Sequence, residues 1–188
     1  DERDLVKWLV DYTVAMGATI SVKDAQYLLE RVNRAQENLS NELKKLASFD
    51  PIITRETIDE LTVRSPQSTI FDLIEAAMKG DTELSLKLYD EQRQQLVEPQ
   101  QIIAMLTWQL HILAIILTSK GKSAQQIAVE AKINPYVISK SQNLIKYVNL
   151  PRVKLLIAEL LDIDNSIKGS SIDADEALKY YIIELKQF

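Results

Sequence analysis

Two short features near the middle of this 188-residue chain are of types that can do chemistry. His111 is the only histidine and there is no cysteine, so a metal site there would need carboxylates, none of which lies within a turn of it. Gly121-Lys-Ser123 ends like a phosphate-binding P-loop, but Ile116 stands where its first glycine is required and no strand precedes it. We expect a hydrogen-bonded core histidine and two helix caps at these positions, with no metal and no cofactor.

Neighbouring carboxylates occur at Asp59-Glu60 and at Asp162-Ile-Asp164. Such pairs act as acid and base only when they share a cleft. Both pairs lie on amphipathic helices or at helix ends, where a solvated face is the ordinary arrangement. The sequence also offers no nucleophile beside a base, so no group of residues supports the hypothesis of a small helical enzyme. We expect no catalysis by this chain.

Basic side chains are concentrated between Thr118 and Lys154, although the chain as a whole has a formal net charge of −5. This basic window contains one acid, Glu130, and seven basic residues: Lys120, Lys122, Lys132, Lys140, Lys146, Arg152 and Lys154. Its residues form either an ordinary solvated helix face or a surface that contacts DNA phosphates.

Part of the basic window has the outline of a helix-turn-helix: a short helix Ala124–Ala131, a turn Lys132-Ile-Asn-Pro135, and a second helix Tyr136–Val148. The second helix would offer a DNA groove these side chains: Ser139, Lys140, Gln142, Asn143 and Lys146. Lys140 and Lys146 would stand about 120° apart on that helix, which argues against both reaching phosphates from one groove. The alternative is an ordinary helix pair with a basic solvated face.

Helices must position all these residues, because the apolar spacing is helical throughout and no segment alternates between hairpin turns as strands do. The most apolar stretch, Pro99–Gly121, predicts a central helix buried on all sides, with Trp108 and Leu113 in the core. Its apolar run is shorter than the ~20 residues of a bilayer span and contains Gln109 and His111. We therefore interpret it as a core helix of an all-α protein.

A polar stretch with one proline, Val63–Ser68, separates two patterned regions and predicts a linker. We expect two helical domains, 1–64 and 67–188, and a break in the first between Asn33 and Asn38. The chain opens without Met or a signal-peptide pattern, which indicates a piece of a longer protein. The lack of cysteine is compatible with a reducing cytoplasm.

Three regions of the chain carry Leu, Asp and Lys at helical spacing. The first is 38–46 followed by Ile53-Thr54 and Ile58, the second is 70–77 followed by Gly80-Asp81, and the third is 160–168 followed by 176–185. In this order and spacing they resemble the δ subunit of the bacterial DNA polymerase III clamp loader. The first set is similar to the small helical lid of an AAA+ module. The second and third are similar to the first turn and the last two helices of the subunit's C-terminal collar domain.

The resemblance implies an AAA+ lid-like domain at 1–64 and a helical-bundle collar at 67–188 that assembles with other clamp-loader subunits. It also implies that the AAA+ core, which grips the sliding clamp, lies outside this chain. The subunit would be cytoplasmic and would not hydrolyse ATP. In agreement, neither Arg55 nor Arg64 stands where hydrolysing relatives place their phosphate-sensing arginine. Primer–template DNA would be a partner of the full complex.

For the basic window the resemblance allows contact with DNA phosphates or with an acidic neighbouring subunit. We expect the chain alone to bind duplex DNA only at ~10⁻⁴–10⁻⁶ M near physiological salt. Reversal of Lys132 and Lys140 to Glu should impair assembly or loading and leave the fold intact. The alternative function is a helix-turn-helix regulator using residues 123–148, which would bind one DNA sequence by itself.

Overall fold

The computed structural model describes residues 2–32, 35–169 and 172–186, and within them the chain is helical apart from one two-stranded ladder. The all-α class is confirmed. The elements are α1 Glu2–Ala15, β1 Thr19–Ile20, α2 Val22–Arg31, α3 Gln36–Phe49, β2 Ile52–Ile53, α4 Arg55–Leu61, α5 Pro66–Lys79, α6 Thr82–Gln94, α7 Pro99–Thr118, α8 Ala124–Ala131, α9 Pro135–Gln142, a 3₁₀ turn Ile145–Tyr147, α10 Leu150–Gly169 and α11 Ala174–Glu184.

The chain divides into two compact units, Asp1–Ser68 and Thr69–Phe188. The boundary lies in the first turn of α5, which begins at Pro66 because proline suits the first position of a helix. Ser65 caps this helix, since its Oγ accepts a hydrogen bond of 3.2 Å from the Ser68 amide. The second half of the predicted linker is therefore helical, and the stretch without regular structure is only residues 62–65.

The first unit buries one leucine-rich core under α1 to α4. As expected, the apolar stripe is interrupted: α2 ends at Arg31 and α3 begins at Gln36, while Asn33 and Arg34 lie outside the described residues. Between the helices, β1 pairs in parallel with β2, with Ile20 opposite Ile53. This ladder was not predicted, because two residues are too few to show strand alternation.

In the second unit α7 packs along α10 and also contacts α8, α9 and α11. One side of α7 contributes Ile102, Leu106, Leu110 and Leu113 to the main core. A smaller cluster, which includes Ile112 and Ile116 of α7, holds the α8–α9 pair against the C-terminal half of the helix. A helix with apolar residues on several faces can serve both clusters at once.

The expectation that α7 is buried on all sides is wrong. Leu113 is fully buried, as predicted, but Trp108 is 45% exposed. Ala104 and His111 are exposed as well, and the spacing of four and three residues places all three on one face. Apolar composition shows that a helix needs neighbours, and it does not show how many sides the neighbours cover. The expected core histidine is thus a surface residue.

By length and composition α7 is one helix that could cross a membrane, and half of its apolar window is buried inside the protein. At its middle the Gln109 side-chain amide donates a 2.8 Å hydrogen bond to Ser141 Oγ of α9, and both groups are buried. Such a bond satisfies polar groups that burial would otherwise penalise. The helix α7 packs against both α9 and α10, which accounts for its apolar composition.

Gln92 of α6 is fully buried, and its amide has no hydrogen-bond partner among the described residues. A buried polar group without a partner costs about 1–3 kcal/mol of stability. We therefore expect Gln92→Met to raise the free energy of unfolding by about 1 kcal/mol, measured by urea denaturation. The exposed Gln94→Met is the matched control and should change it by less than about 0.5 kcal/mol. Destabilisation by Gln92→Met alone would show that the amide is satisfied.

Candidate assembly and nucleic-acid interface

Two of the seven basic residues of the window are used inside the second unit. The Lys140 ammonium lies 4.1 Å from the centre of the Phe71 ring and 3.9 Å from an Asp72 carboxylate oxygen. The Arg152 side chain is mostly buried, and its Nη2 donates a 2.7 Å bond to the carbonyl of Glu184. These contacts connect α9 to α5 and α10 to α11. Both residues stabilise the unit internally.

Because of the contacts of Lys140 with Phe71 and Asp72, the substitution Lys140→Glu would affect the stability of the fold as well as any contact with a partner. A glutamate at this position would lose the attraction to the Phe71 ring and would face the carboxylate of Asp72. The expectation that Lys132→Glu with Lys140→Glu leaves the fold intact is therefore withdrawn for Lys140. Lys132, which is exposed at the end of α8, remains a suitable position.

The other five basic residues are exposed on different elements. Lys122 forms a 2.6 Å ion pair with Glu130, and the Lys146 ammonium lies 4.9 Å from the Tyr147 ring centre. The remaining three form no ion pair within the described part of the chain: Lys120, Lys132 and Lys154. They follow α7, follow α8 and lie near the start of α10, respectively. The window is thus a dispersed set of charges.

The predicted second helix of the helix-turn-helix, Tyr136–Val148, is wrong. The helix α9 ends at Gln142, and a separate 3₁₀ turn carries Lys146, so the angle argued between Lys140 and Lys146 does not apply. Ile138 and Ser141 of α9 are fully buried against the second unit. Ser139, Asn143 and Lys146 are exposed, but Asn143 follows the last residue of α9 and Lys146 belongs to the 3₁₀ turn, so the predicted side chains do not form one face of a single recognition helix.

The turn from α7 to α8 contains the expected N-cap at Ser123, whereas α7 ends at Thr118 with Ser119, and not Gly121, as its C-cap. Gly121 has a φ of 78°, which glycine adopts without strain. Ser123 Oγ accepts a bond from the Gln126 amide, and the Gln126 side chain accepts one of 2.8 Å from the Ser123 amide. This reciprocal pair is a capping box. The amides of Ser123 and Gln126 are therefore engaged in the helix start, which confirms the N-cap at Ser123 and leaves Gly121 in the turn between the two helices.

The paired carboxylates have separate structural contacts. Asp59 accepts a hydrogen bond from Tyr27 and forms a 2.9 Å ion pair with Arg31, which joins α2 to α4. Asp164 forms a 2.5 Å ion pair with Lys168 one turn later on α10. Among the described residues, no three His, Asp or Glu side chains come close enough to hold a metal ion.

A partly exposed carboxylate contact that the sequence did not suggest joins α6 to α11. Asp175 Oδ1 accepts hydrogen bonds of 2.6 Å from the Tyr89 hydroxyl and 2.7 Å from Arg93 Nε. Burial by itself raises the pKa of Asp175, but the bonds from Tyr89 and Arg93 and the charge of Arg93 outweigh it and hold that pKa below its ordinary value. Burial and the bond to Asp175 raise the pKa of Tyr89.

An open groove of about 640 Å³ lies between α7 and α10, and we call it the α7–α10 groove. Ile103 and Leu160 are the buried part of its lining, while the lining residues Trp108 and Leu161 are 45% and 58% exposed. The Asp164–Lys168 ion pair also lies in the lining. Sequence reasoning missed this site because it placed Trp108 in the core, although large exposed apolar groups commonly mark interaction surfaces.

Comparisons with known proteins add independent findings. Residues 67–185 match the family model described as DNA polymerase III delta subunit, C-terminal domain. The DNA polymerase III subunit delta of Bacillus subtilis (strain 168) is 24% identical in an alignment of 188 residues that covers 95% of this chain and 54% of that protein. The solved Bacillus subtilis DNA clamp loader delta protein superposes with a TM-score of 0.87 at 23% identity, over 97% of this chain and 56% of that one. The chain therefore spans about half the length of these relatives.

Proposed function

This chain belongs to the DNA polymerase III delta subunit family, and from that membership we propose that it acts in the bacterial clamp loader, which places the sliding clamp on primed DNA. The family match over residues 67–185 carries the proposal. That range nearly coincides with the second compact unit, Thr69–Phe188, which has a core of its own. A domain with its own core and an exposed apolar groove is suited to assembly with other proteins.

Within the clamp loader we propose separate roles for the two units. The first unit would be the lid of an AAA+ module, and the second would be the collar that holds the subunit in the complex. The partners would be the other clamp-loader subunits, and the clamp and primer–template DNA would be met in the full cytoplasmic complex. This chain would catalyse no reaction; its few internal carboxylate contacts, such as Asp59 with Arg31, serve the fold.

The helix-turn-helix regulator gains no support. Of the side chains predicted to read a groove, Lys140 is held by Phe71 and Asp72, and Asn143 and Lys146 lie beyond the end of α9. The family match also lies across the whole of this helix pair. One function is therefore proposed.

Reconstitution tests the proposal. The full-length protein is mixed with the remaining clamp-loader subunits of the same organism, and ATP-dependent loading of the sliding clamp onto primed DNA is measured. We expect a stable complex by gel filtration and loading that requires this subunit. If the complete mixture forms no complex and loads no clamp, the protein is not a clamp-loader subunit.

The exposed lysines of the window can be tested in the same assay. We propose that Lys120 and Lys132 contribute favourable charge to contacts within the loaded complex. Their double reversal to Glu should lower loading about 3–10-fold, which corresponds to about 0.3–0.7 kcal/mol for each of the two exposed charge contacts. The exposed Lys87→Glu of α6 is the control outside the window. Weaker DNA binding by the assembled complex would identify phosphates as the target, and weaker assembly without DNA would identify a neighbouring subunit.

A further inference from the structure

The four residues between α4 and α5 are held at both ends. We call residues 62–65 the strap, since they lead from the last helix of the first unit to α5. The first of them, Thr62, is buried and is the C-cap of α4. The last, Ser65, caps α5, and Ile70 and Ile74 of that helix belong to the main core of the second unit. The strap therefore leads directly into a helix that the second unit anchors.

A single residue of α2, Arg31, contacts both ends of the strap. Its Nε donates a 2.8 Å hydrogen bond to Thr62 Oγ1, and its Nη2 donates one of 3.0 Å to the Thr62 carbonyl. At the other end, the Ser65 amide donates a 2.7 Å bond to the Arg31 carbonyl. The guanidinium also forms a 2.9 Å ion pair with Asp59 and donates a 3.1 Å bond to the Asp59 carbonyl. Only 11% of the Arg31 side chain is exposed.

These bonds satisfy groups that helix ends leave without partners. The last four carbonyls of a helix accept no bond from within it. Arg31 is the last residue of α2, and Asp59 lies in the last turn of α4. The strap supplies the donor for α2, and the guanidinium supplies donors for α4. Because each such bond exchanges for bonds to water at a small net cost, the strap is closed at rest and is able to open.

We propose that Arg31 is a latch on the strap and that this latch couples the two units. With the latch closed, α5 begins at a fixed point on the first unit, so a displacement of that unit is transmitted to α5. With the latch open, residues 62–65 become a flexible tether and the units move independently. Arg31 is thus a positioning residue that acts through Thr62 and Ser65. The proposal concerns this chain alone and does not depend on the proposed function.

Trypsin cleavage between Arg64 and Ser65 measures how often the strap opens. A protease cuts a segment only after it has left its folded contacts, so the cleavage rate follows the population of the open strap. In the whole chain, Arg31→Met should raise this rate about 10-fold or more. The rates of cleavage after Lys44 and Lys45 of α3, which report unfolding of the entire first unit, should rise much less. Mass spectrometry identifies the fragments.

The matched control is Arg55→Met. The Arg55 guanidinium lies 4.1 Å from the centre of the Tyr27 ring, so it also joins α4 to α2, but it forms no hydrogen bond to the strap within the described part of the chain. Its cleavage rate after Arg64 should stay within about 3-fold of the wild type. An equal acceleration at all three sites by Arg31→Met would show that Arg31 stabilises the whole unit, and it would overturn the latch. Equal rates in the wild type and Arg31→Met would overturn it as well.

Spin labels measure the coupling itself. The chain has no cysteine, so Lys23→Cys on α2 and Lys87→Cys on α6 place one thiol on the exposed surface of each unit. The distribution of distances between the labels, measured by double electron–electron resonance, should be narrow in the labelled protein and should broaden on addition of Arg31→Met. The control Arg55→Met should leave its width unchanged. A distribution that is equally broad with and without Arg31 would show that the strap does not couple the units.

Discussion

Leu113→Ala is expected to lower the free energy of unfolding of the second unit by about 2–5 kcal/mol. The Leu113 side chain is fully buried in the main core of that unit, on the helix that packs along α10. Truncation removes apolar contacts and leaves a cavity that the surrounding helices fill only in part. The matched control is Leu155→Ala, which removes a half-exposed leucine and should cost less than about 1 kcal/mol.

The measurement can be confined to the second unit. The chain has two tryptophans, Trp8 in the first unit and Trp108 in the second. In a Trp8→Phe background, urea denaturation followed by tryptophan fluorescence therefore reports on the second unit alone. A loss below about 0.5 kcal/mol for Leu113→Ala would mean that α7 is not the centre of the core.

Helix starts can be read from the sequence because a cap involves residues only two or three positions apart. Thr54 Oγ1 accepts a bond from the Thr57 amide, and Asp173 Oδ1 accepts one of 2.9 Å from the Glu176 amide. Apolar residues at helical spacing are similarly local, and Leu28 of α2 and Leu39 and Leu43 of α3 are all fully buried. In these places sequence neighbours determine the structure.

Contacts between distant residues were not predictable in the same way. The ladder pairs Thr19 with Ile52, and Tyr89 meets Asp175 across 86 positions. Lys140 and Arg152 belonged to the basic window by sequence, but the structure supplies internal partners for both. Charge counts along the chain therefore overestimated the charge available to a ligand.

The candidate groove shows the limit most clearly. The composition of α7 is apolar enough to suggest burial on every side, so Trp108 was expected in the core. The exposure of Trp108 depends on how many helices the rest of the chain packs around α7, and the sequence of α7 alone does not determine that number. The resemblance to the δ subunit identified the family correctly and gave no information about this face.

Asp175→Ala is expected to lower the free energy of unfolding by about 1–3 kcal/mol, because the carboxylate is 42% exposed and water screens part of its interaction. The substitution removes the carboxylate that accepts a hydrogen bond from the Tyr89 hydroxyl and that pairs with Arg93. Tyr89 itself is a fully buried residue. Hydrogen bonds to charged groups contribute more than neutral ones, and an unpaired buried hydroxyl adds a desolvation cost. Asp90→Ala is the control, because it removes only the exposed ion pair with Lys179 and should cost less than about 1 kcal/mol.

The dependence on pH separates the charge of Asp175 from the shape of its side chain. Asp175→Asn retains an acceptor oxygen and loses the charge, so it should cost less than Asp175→Ala at pH 7. The pKa of Asp175 lies below its ordinary value of 3.8 in the folded protein, so its carboxylate stabilises the fold fully above that value. This contribution disappears as the pH falls through the lowered pKa. The difference in unfolding free energy between wild type and Asp175→Asn should therefore stay constant from pH 7 to pH ~5 and shrink only below pH ~4. A difference that already shrinks between pH 7 and pH 5 would show that Asp175 is not stabilised as a carboxylate by Tyr89 and Arg93.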